Sequence, residues 1–478
     1  AFVVVQYALL LVCGVFVVTH YRAKPNQSSA GESLSAVQRS RMHKIKVETS
    51  VPHSAILQHP AHESVSHVAK QHPQAALRHS AEVHHSHRQH SAIPRKRAKN
   101  EDHDPTRLLK LADAVPKRRL PEKVVMCYAS WAECDDKVLQ GARNGCNVIV
   151  WFALHLFRDQ GAHPAIGGGP NRACVAKVAQ ELKDEKLSVL HLVSFGGWNT
   201  PHPDTTITPE QAWVLWKEWD AEGKQYGFPG FDGIDWDIEG NDKVDSPANT
   251  LSVGCLDLMG RVSKMAKLEG YIVSMAPMES YLNPHTSDFS RSLTFSYPEY
   301  DHLLPTPFTW HGKNGYAYLL AKYGAATFDI IFLQIYESYS LAGYAIRTQH
   351  EDPATYLEAL VAAFDKGWTV NFEDDLAVQL EAQTVRVDPR QLVIGLANAW
   401  GPPAHPVKAL YLDEQELTDA YARMEQAGNA PRGFGFWCLN LEGNPEYGKG
   451  KPLYMAAELR NLLDVGKRGR EAKGDRGR

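Results

Sequence analysis

Short apolar runs alternate with longer amphipathic segments through the middle of this chain. Eight of the runs are rich in β-branched and aromatic residues and have the length of buried strands. They are Lys123–Ala129, Asn147–Phe152, Ser188–Ser194, Gly233–Glu239, Ile272–Pro277, Asp329–Tyr336, Gln391–Leu396 and Gly433–Leu439. Helices are predicted between them at Asn171–Lys186, Thr208–Tyr226, Thr250–Leu268, Pro353–Lys366 and Asp413–Gln426. Eight alternating units predict an α/β fold, a closed (β/α)8 TIM barrel.

The first 19 residues form an uncharged apolar run that ends at a basic stretch with Arg22 and Lys24. A run of this length is typical of a membrane-spanning helix. We therefore predict that residues 1–22 are a signal anchor or a cleaved signal peptide. The anchor is favoured because no clear small-residue cleavage pattern follows. Either alternative predicts the secretory pathway, with the protein anchored in a membrane through residues 1–19 or secreted.

Residues 23–110 are predicted to be a disordered linker. The segment is rich in Ser, His, Gln and Ala, and residues 23–105 hold 12 of the 22 histidines. Such a composition buries too little apolar surface to offset the entropy of ordering. We interpret the histidines as part of a solvated spacer in preference to a metal-binding tract. Residues 465–478 are charged and Gly-rich and are predicted to be a disordered tail, which leaves 122–464 as the folded domain.

Charge and cysteine content narrow the class of protein. Residues 20–120 hold 18 Lys and Arg against 8 Asp and Glu, while the rest of the chain holds 33 against 47. An acidic folded domain is a poor candidate for nucleic-acid binding. No cysteine has zinc-site spacing. A disulfide among Cys134, Cys146 and Cys174 is one possibility, and Cys127 and Cys438 are predicted to be buried thiols.

The fourth apolar run carries the strongest chemical signal. Side chains alternate faces along a strand, so Asp235, Asp237 and Glu239 share one face while Trp236 and Ile238 share the other. If Trp236 and Ile238 pack on the helices, the three acids point into the barrel, with Glu239 nearest the carboxyl-terminal rim. Catalytic residues of such barrels lie at that rim. Like-charge repulsion and burial then favour one retained proton, which we assign to Glu239.

A protonated carboxyl beside an ionised one suits the cleavage of a glycosidic bond. At this point the sequence resembles glycoside hydrolase family 18, the chitinases and their relatives. The resemblance covers roughly residues 122–463. Its motifs are DGIDWDIE at residues 232–239, SFGG at 194–197, Met275-Ala276-Pro277, Gln334-Ile335-Tyr336 and Trp437. Glu337 after Tyr336, and Met278-Glu279 after the proline, depart from the pattern of many members.

The resemblance implies a retaining mechanism without a protein nucleophile. Glu239 would act as general acid and base, and the acetamido carbonyl of the substrate would attack the anomeric carbon. Asp237 would hold the acetamido N–H, Asp235 would tune Asp237, and Tyr336 would bind the acetamido oxygen. Trp437 would form the floor under the sugar. Further substrate contacts are predicted at Gln334, Tyr128, Met275, Ser194, Gly196, Gly197 and Trp198.

Aromatic residues at or just past the strand ends predict an extended sugar-binding groove, although each alone could equally be a core residue. They are Tyr128, Trp131, Trp151, Trp198, Tyr281 and Trp400.

The expected partner is an oligosaccharide or polysaccharide that contains N-acetylglucosamine, and no metal or cofactor is expected. Three functions remain open: a chitinase cleaving β-1,4-linked N-acetylglucosamine, an endo-β-N-acetylglucosaminidase acting on glycoprotein glycans, and a non-hydrolytic lectin. The intact Glu239 argues against the lectin.

Overall fold

A computed structural model describes residues 118–130, 136–294, 311–337, 340–398, 410–444 and 451–474, with side chains as far as residue 464. The apolar segment 1–22 and the linker 23–110 lie outside these ranges, as do Trp131 and Trp400. Within the described ranges, no helix has the length and apolar character needed to span a membrane.

The described strands, in chain order, form one closed barrel and two small additions. They are β1 (Val124–Ala129), β2 (Val148–Arg158), β3 (Pro164–Gly168), β4 (Leu190–Gly196), β5 (Gly233–Asp237), β6 (Ile272–Met275), β7 (Ile330–Gln334), β8 (Trp368–Val370), β9 (Gln383–Val385), β10 (Leu392–Ala397) and β11 (Gly433–Trp437). Strands β1, β2, β4, β5, β6, β7, β10 and β11 pair in parallel in that order. A further parallel pairing of β1 with β11 closes the ring, which confirms the predicted (β/α)8 barrel.

Three of these strands were not predicted. Strand β3 pairs antiparallel with the outer half of β2, from Leu154 to Arg158. Strands β8 and β9 form a separate antiparallel pair. They are only three residues long each, too short for a hydrophobic periodicity to be recognised.

Helices α1 to α8 surround the barrel. They are α1 (Asp136–Arg143), α2 (Arg172–Asp184), α3 (Pro209–Ala221), α4 (Val253–Leu268), α5 (Ala317–Tyr323), α6 (Pro353–Lys366), α7 (Glu414–Ala427) and α8 (Met455–Gly474). All five predicted helices are present, as α2, α3, α4, α6 and α7. The side chain of Thr208 caps α3 by accepting a hydrogen bond from the backbone N–H of Gln211, as a helix with Pro at its first position favours.

Two hydrophobic layers follow from the alternation of side chains along the barrel strands. Val124, Met126 and Tyr128 of β1 belong to a cluster that fills the barrel interior. The outward residues of the strands belong to a larger cluster between barrel and helices. Trp236 of β5 lies in this outer layer, and its indole N–H donates to the Ser263 hydroxyl of α4 at 2.9 Å. The opposite face of β5 therefore points into the barrel.

Helix α8 extends into the segment 465–478, which was predicted to be a disordered tail. The helix runs through residue 474, so the first ten residues of the segment 465–478 are helical. Its opening turns are fixed because Met455, Leu459 and Leu463 are buried, and a helix already nucleated extends at little further cost. Its first N–H groups are capped by a residue that is distant in the sequence. The Glu442 carboxylate accepts from the backbone N–H of Met455 at 3.0 Å and of Ala456 at 3.4 Å.

Glu442→Ala is expected to lower the free energy of unfolding by about 1–3 kcal/mol, because two buried N–H groups of α8 lose their acceptor. Chemical denaturation followed by circular dichroism measures the change. Glu414→Ala is the control, since Glu414 lies exposed in the first turn of α7. It should change stability by less than about 0.5 kcal/mol. Equal effects of the two substitutions would show that Glu442 is not a cap.

Cysteines in the described ranges fall into two groups. Cys127, Cys146, Cys255 and Cys438 are free and buried, as predicted for Cys127 and Cys438. Cys174 is disulfide-bonded, and its partner lies outside the described residues. Cys146 therefore does not take part in the disulfide that the sequence allowed.

Candidate active site

The three acids of the fourth predicted run are buried at the centre of the barrel. Asp235 is 0% exposed, Asp237 5% and Glu239 6%. Strand β5 ends at Asp237, so Glu239 lies just beyond its carboxyl end, at the rim where barrel enzymes place catalytic groups. The contacts of these carboxyls run across the barrel to β1, β4 and β7, as described below. The predicted inward orientation is therefore present.

Asp235 lies deepest and is held by two hydroxyl donors. Tyr128 of β1 donates to its Oδ2 at 3.1 Å, and Ser194 of β4 donates to the same oxygen at 2.8 Å. Burial raises the pKa of Asp235 to about 6, although these hydrogen bonds act in the opposite direction. Ser274 of β6, in register with Asp235, is a further buried hydroxyl beside it and was not predicted. Asp235 is thus a fixed group beneath Asp237.

The carboxyls of Asp237 and Glu239 lie beside each other, and each shifts the pKa of the other. The amide nitrogen of Gln334 lies 2.9 Å from Asp237 Oδ1, 2.9 Å from Glu239 Oε1 and 2.7 Å from the carbonyl oxygen of Ala276. An amide has two hydrogens for these three acceptors. A proton shared between the two carboxyls therefore completes the hydrogen bonding of the group. The amide of Gln334, which was predicted as a substrate contact, therefore contacts both acids.

The electrostatics of the pair favour one retained proton. Burial raises the pKa of both carboxyls, and the charges of Glu239, Asp235 and Glu337 add to the effect on Asp237. Because the two groups titrate together, the retained proton belongs to the pair and not to one residue. The assignment of that proton to Glu239 stays a prediction.

Tyr336 and Trp437 line the barrel next to this pair. Tyr336 is 4% exposed and lies in the interior cluster. Burial raises its pKa well above the usual range, and the charges of Glu337, Asp237 and Glu239 add to the effect. Its hydroxyl thus remains protonated as a donor. The half-buried Trp437 packs with its ring centroid 5.9 Å from that of Tyr128 and edge-on, at 4.9 Å, to Phe152.

Gly196 and Gly197 serve packing between strands. Gly196 has φ 105° and Gly197 has φ 100°, conformations that side chains rarely adopt. A Cβ at Gly196 would overlap the carbonyl of Asp237, and one at Gly197 would overlap the Phe152 ring. The Gly197 N–H donates to the Asp237 carbonyl. The pair lets the end of β4 approach the acid-bearing end of β5.

Trp198 lies beside the rim. Its indole N–H donates to Asp242 Oδ1 at 2.9 Å, and a Cβ at Gly240 would lie 3.3 Å from its ring. The half-buried ring packs on the outer cluster. Trp198 therefore braces the chain that follows Glu239.

Two residues are placed away from the site, contrary to prediction. Met275 is fully buried in the outer layer, because Ile272 and Ala276 on the same stretch of chain face the interior. Met275 therefore cannot contact a sugar in the barrel mouth. Trp151 lies in the same outer layer, and its indole N–H donates to His191 Nδ1 at 3.1 Å. Its prediction as a rim aromatic is wrong for the same reason.

Glu337 and His202 join the site without having been assigned to it, and Tyr281, predicted as a rim aromatic, lies beside them. Burial and the nearby charge of Glu239 raise the pKa of Glu337 to about 8. Tyr281 is fully buried. The ring Nε2 of His202 lies 2.8 Å from the backbone oxygen of Glu239.

Within the described ranges, no set of three or more His, Cys, Asp or Glu is arranged to hold a metal ion.

Comparison with known proteins gives structural likenesses only. No model of a protein family matches the chain, and no curated protein matches it. Among solved structures, the C-terminal domain of ChiA from Legionella pneumophila is 15% identical with a TM-score of 0.47, over 72% of this chain and 99% of that one. A fungal endo-β-N-acetylglucosaminidase of glycosyl hydrolase family 18 is 12% identical with a TM-score of 0.44, over 73% and 100%. A family 18 chitinase from Pseudoalteromonas aurantia is 12% identical with a TM-score of 0.41, over 67% and 96%.

Two of these three structures bear the name of the family that the sequence motifs of this chain resemble. The barrel itself is established by the strand pairings of this chain. Its chemistry depends on the side chains described above.

Proposed function

We propose that this protein is a retaining glycoside hydrolase that cleaves β-1,4-linked N-acetylglucosamine, as in chitin or chitooligosaccharides. The observation that supports the proposal most strongly is the carboxyl pair of Asp237 and Glu239, which shares a proton at the barrel mouth and contacts the Gln334 amide. A pair that holds one proton at neutral pH has both an acid and a carboxylate available. Hydrolysis of a glycosidic bond needs both.

In the proposed first step, Glu239 takes the proton of the pair and donates it to the leaving glycosidic oxygen. The acetamido carbonyl oxygen of the substrate attacks the anomeric carbon as the bond to the leaving oxygen breaks. Asp237, now a carboxylate, accepts the acetamido N–H and stabilises the oxazolinium ion. Asp235, which Tyr128 and Ser194 hold in place by hydrogen bonds, lies beneath Asp237 and keeps that carboxylate in position. Orientation of an internal nucleophile supplies much of the rate.

In the second step, Glu239 is a carboxylate and takes a proton from water. The water oxygen attacks the anomeric carbon on the face that the leaving group vacated, and the acetamido group is restored. Two displacements at one carbon return the original configuration. Trp437, half-buried between Tyr128 and Phe152, provides an apolar surface on which the reacting sugar can stack.

Tyr336→Phe is expected to lower kcat about 10- to 100-fold, because the acetamido oxygen loses a donor whose hydrogen bond strengthens as the carbonyl gains charge. Initial rates on chitotetraose to chitohexaose measure the effect. Tyr323→Phe is the matched control, since that hydroxyl donates to Asp257 at 2.8 Å, outside the barrel. Equal rates for Tyr336→Phe and the control would contradict the assigned contact.

The substrate class is tested by incubating the protein with chitooligosaccharides and, separately, with a high-mannose glycoprotein, followed by mass analysis of the products. Shortened oligosaccharides that initially keep the β configuration are the expected result. Release of glycans from the glycoprotein alone would identify an endo-β-N-acetylglucosaminidase instead. Binding of chitooligosaccharides without cleavage of either substrate would identify a lectin.

We further propose a secretory location for the protein. The disulfide-bonded Cys174 supports it, because disulfides persist in oxidising compartments. Expression with the native amino-terminal segment, followed by fractionation into medium, membrane and cytosol, tests the location. Recovery of the protein in the cytosol with Cys174 reduced would contradict it.

A further inference from the structure

A pair of stacked tyrosines supports the chain segment that carries Glu239. Tyr281 lies in the 3-10 turn Glu279–Tyr281 that follows β6, and its ring is stacked on Tyr316, with centroids 6.2 Å apart and planes 23° apart. The Tyr316 hydroxyl accepts from the Ile238 N–H at 2.8 Å and donates to the Ile238 carbonyl at 2.9 Å. The two rings thus lie against the backbone on either side of Glu239.

The two hydroxyls differ in one respect. That of Tyr316 is satisfied by the backbone of Ile238, whereas that of Tyr281 is buried and has no hydrogen-bond partner. The backbone N–H of Gly240 lies beside it without completing a hydrogen bond. Buried tyrosine hydroxyls nearly always have a partner. The unsatisfied hydroxyl of Tyr281 therefore indicates a hydrogen-bond partner that it acquires during the reaction.

The ring of Tyr281 is held rigidly in this position. Glu279, at the start of the same turn, accepts from the backbone N–H of Ala342 at 2.9 Å and from the hydroxyl of Tyr356. The backbone N–H of Tyr281 donates to the Met278 carbonyl at 2.9 Å. A Cβ at residue 312 would overlap the ring, so the glycine there leaves the space that the ring needs. The hydroxyl is therefore fixed next to the residues that follow β5.

Several titratable groups surround Glu239. Asp235 and Asp237 approach from β5, and Glu337 and Tyr336 follow β7. Tyr128 lies on β1, Tyr316 lies just before α5, and the ring of His202 contacts the Glu239 carbonyl. The hydroxyls of Tyr128 and Tyr316 already donate to Asp235 and Ile238. Burial raises the pKa of Tyr281 well above its usual range, and the charges of Glu239, Glu337 and Asp237 add to the effect.

We propose that Tyr281 is a positioning residue, whose hydroxyl donates a hydrogen bond to the Glu239 carboxylate once Glu239 has given up its proton. This inference rests on the proposed glycosidase function. Before proton donation, Glu239 shares the proton of the pair with Asp237. After it, Asp237 accepts the acetamido N–H and has no proton left to donate, so Glu239 becomes an anion beside Asp237 and Glu337. The O–H of Tyr281 then supplies the missing donor, and no covalent bond to Tyr281 forms or breaks.

Tyr281→Phe tests the proposal and keeps the stacked ring. A hydrogen bond to the ionised form lowers the pKa of a carboxyl, so its loss should raise that of Glu239. The alkaline limb of the kcat/KM profile is expected to move up by about one pH unit. At the wild-type optimum kcat is expected to fall about 10-fold with KM unchanged, because the anionic product of proton donation is less stable. Tyr318→Phe is the control, since that hydroxyl donates to Asp257 at 2.7 Å, outside the barrel.

A second measurement makes the test independent of turnover. The side-chain carboxyl signals of 13C-labelled glutamate are titrated in the wild type and in Tyr281→Phe. The Glu239 signal is assigned by its loss in Glu239→Gln. A higher pKa of Glu239 in Tyr281→Phe supports the contact. If the wild type hydrolyses none of the substrates, the proposed function fails, but this titration still decides whether Tyr281 acts on Glu239.

Two results would overturn the inference. An unchanged pKa of Glu239, with kcat equal to that of the Tyr318→Phe control, would leave Tyr281 as a packing residue. A rise in KM without a shift of the pH profile would show instead that the hydroxyl contacts the sugar directly.

Discussion

Glu239→Gln is expected to reduce hydrolysis of chitooligosaccharides by about 10²–10⁴-fold in kcat, because a positioned general acid contributes a factor of this size. Glutamine has the same shape but has no acidic proton to give. Its side-chain oxygen can still accept from the Gln334 amide, which lies 2.9 Å from Glu239 Oε1. The geometry of the barrel mouth should therefore persist. Binding of the oligosaccharide is expected to survive, with a Kd within a few-fold of that of the wild type.

Stopped assays on chitohexaose measure the rate, and isothermal titration calorimetry measures the binding. Glu442→Gln is the matched control, since Glu442 is a buried carboxyl of raised pKa that caps α8 and has no contact with the acids of β5 among its hydrogen bonds. It should keep wild-type rates. If Glu239→Gln retained more than a tenth of the activity, the acid would have to be another group. Glu337, whose pKa is raised to about 8 by burial and by the charge of Glu239, would then be the next candidate.

The position of Glu239 at the barrel mouth could be predicted because two independent features of the sequence agree. The apolar runs identify the eight strands, since each barrel strand is buried on both faces and leaves an unbroken hydrophobic pattern. Against that background, acids at every second position of β5 stand out. The period of two then assigns them to the interior, while Trp236 faces α4. Both inferences need only local sequence.

The missed elements depend on contacts between distant parts of the chain. Helix α8 begins where the Glu442 carboxylate reaches its first N–H groups from 13 residues away, and no capping residue precedes it to mark the start. Strand β3 exists because it adds to the outer half of β2. Helix α5 has only seven residues, fewer than an isolated helix needs. Hydrophobic periodicity cannot reveal structure that tertiary contacts create.

The errors in the site have a different cause. Met275 was assigned by its membership of a motif, although the alternation along β6 places Ile272, Ser274 and Ala276 inside and Met275 outside. The same period of two that places the acids of β5 inside the barrel excludes Met275 from the interior and places Ser274 there. Glu337 and Tyr281 follow strands β7 and β6. Their approach to Glu239 depends on the path of the connecting chain, which the sequence does not determine by any simple period.

The position of the shared proton could not be predicted from the sequence either. Sequence alone indicates two carboxyls close enough to share a proton. The structure adds Glu337, a further carboxyl that raises the pKa of Asp237, and the Gln334 amide, whose hydrogen bond favours the ionised form of Glu239. Both groups come from β7 and the residues that follow it, so their effect on the pair depends on tertiary contacts.

Asp237→Asn is therefore expected to have the second-largest effect, a fall of about 10²–10³-fold in kcat. The substitution removes the carboxylate that would hold the acetamido N–H, and misorientation of a nucleophile alone costs about 10²-fold. It also removes the carboxyl with which Glu239 shares its proton. KM should change little, because the lost interaction is strongest in the transition state. Rates on chitohexaose between pH 4 and 9 measure both effects.

The pH profile of Asp237→Asn gives a sharper test than its rate. Asparagine carries no charge and offers an N–H donor to ionised Glu239, so both changes lower the pKa of Glu239. The alkaline limb of kcat/KM should move to lower pH, opposite in direction to the shift expected for Tyr281→Phe. Asp257→Asn, outside the barrel, should leave the profile in place. An alkaline limb that stayed fixed in Asp237→Asn would mean that the two carboxyls titrate independently, and the sharing of one proton between them would have to be abandoned.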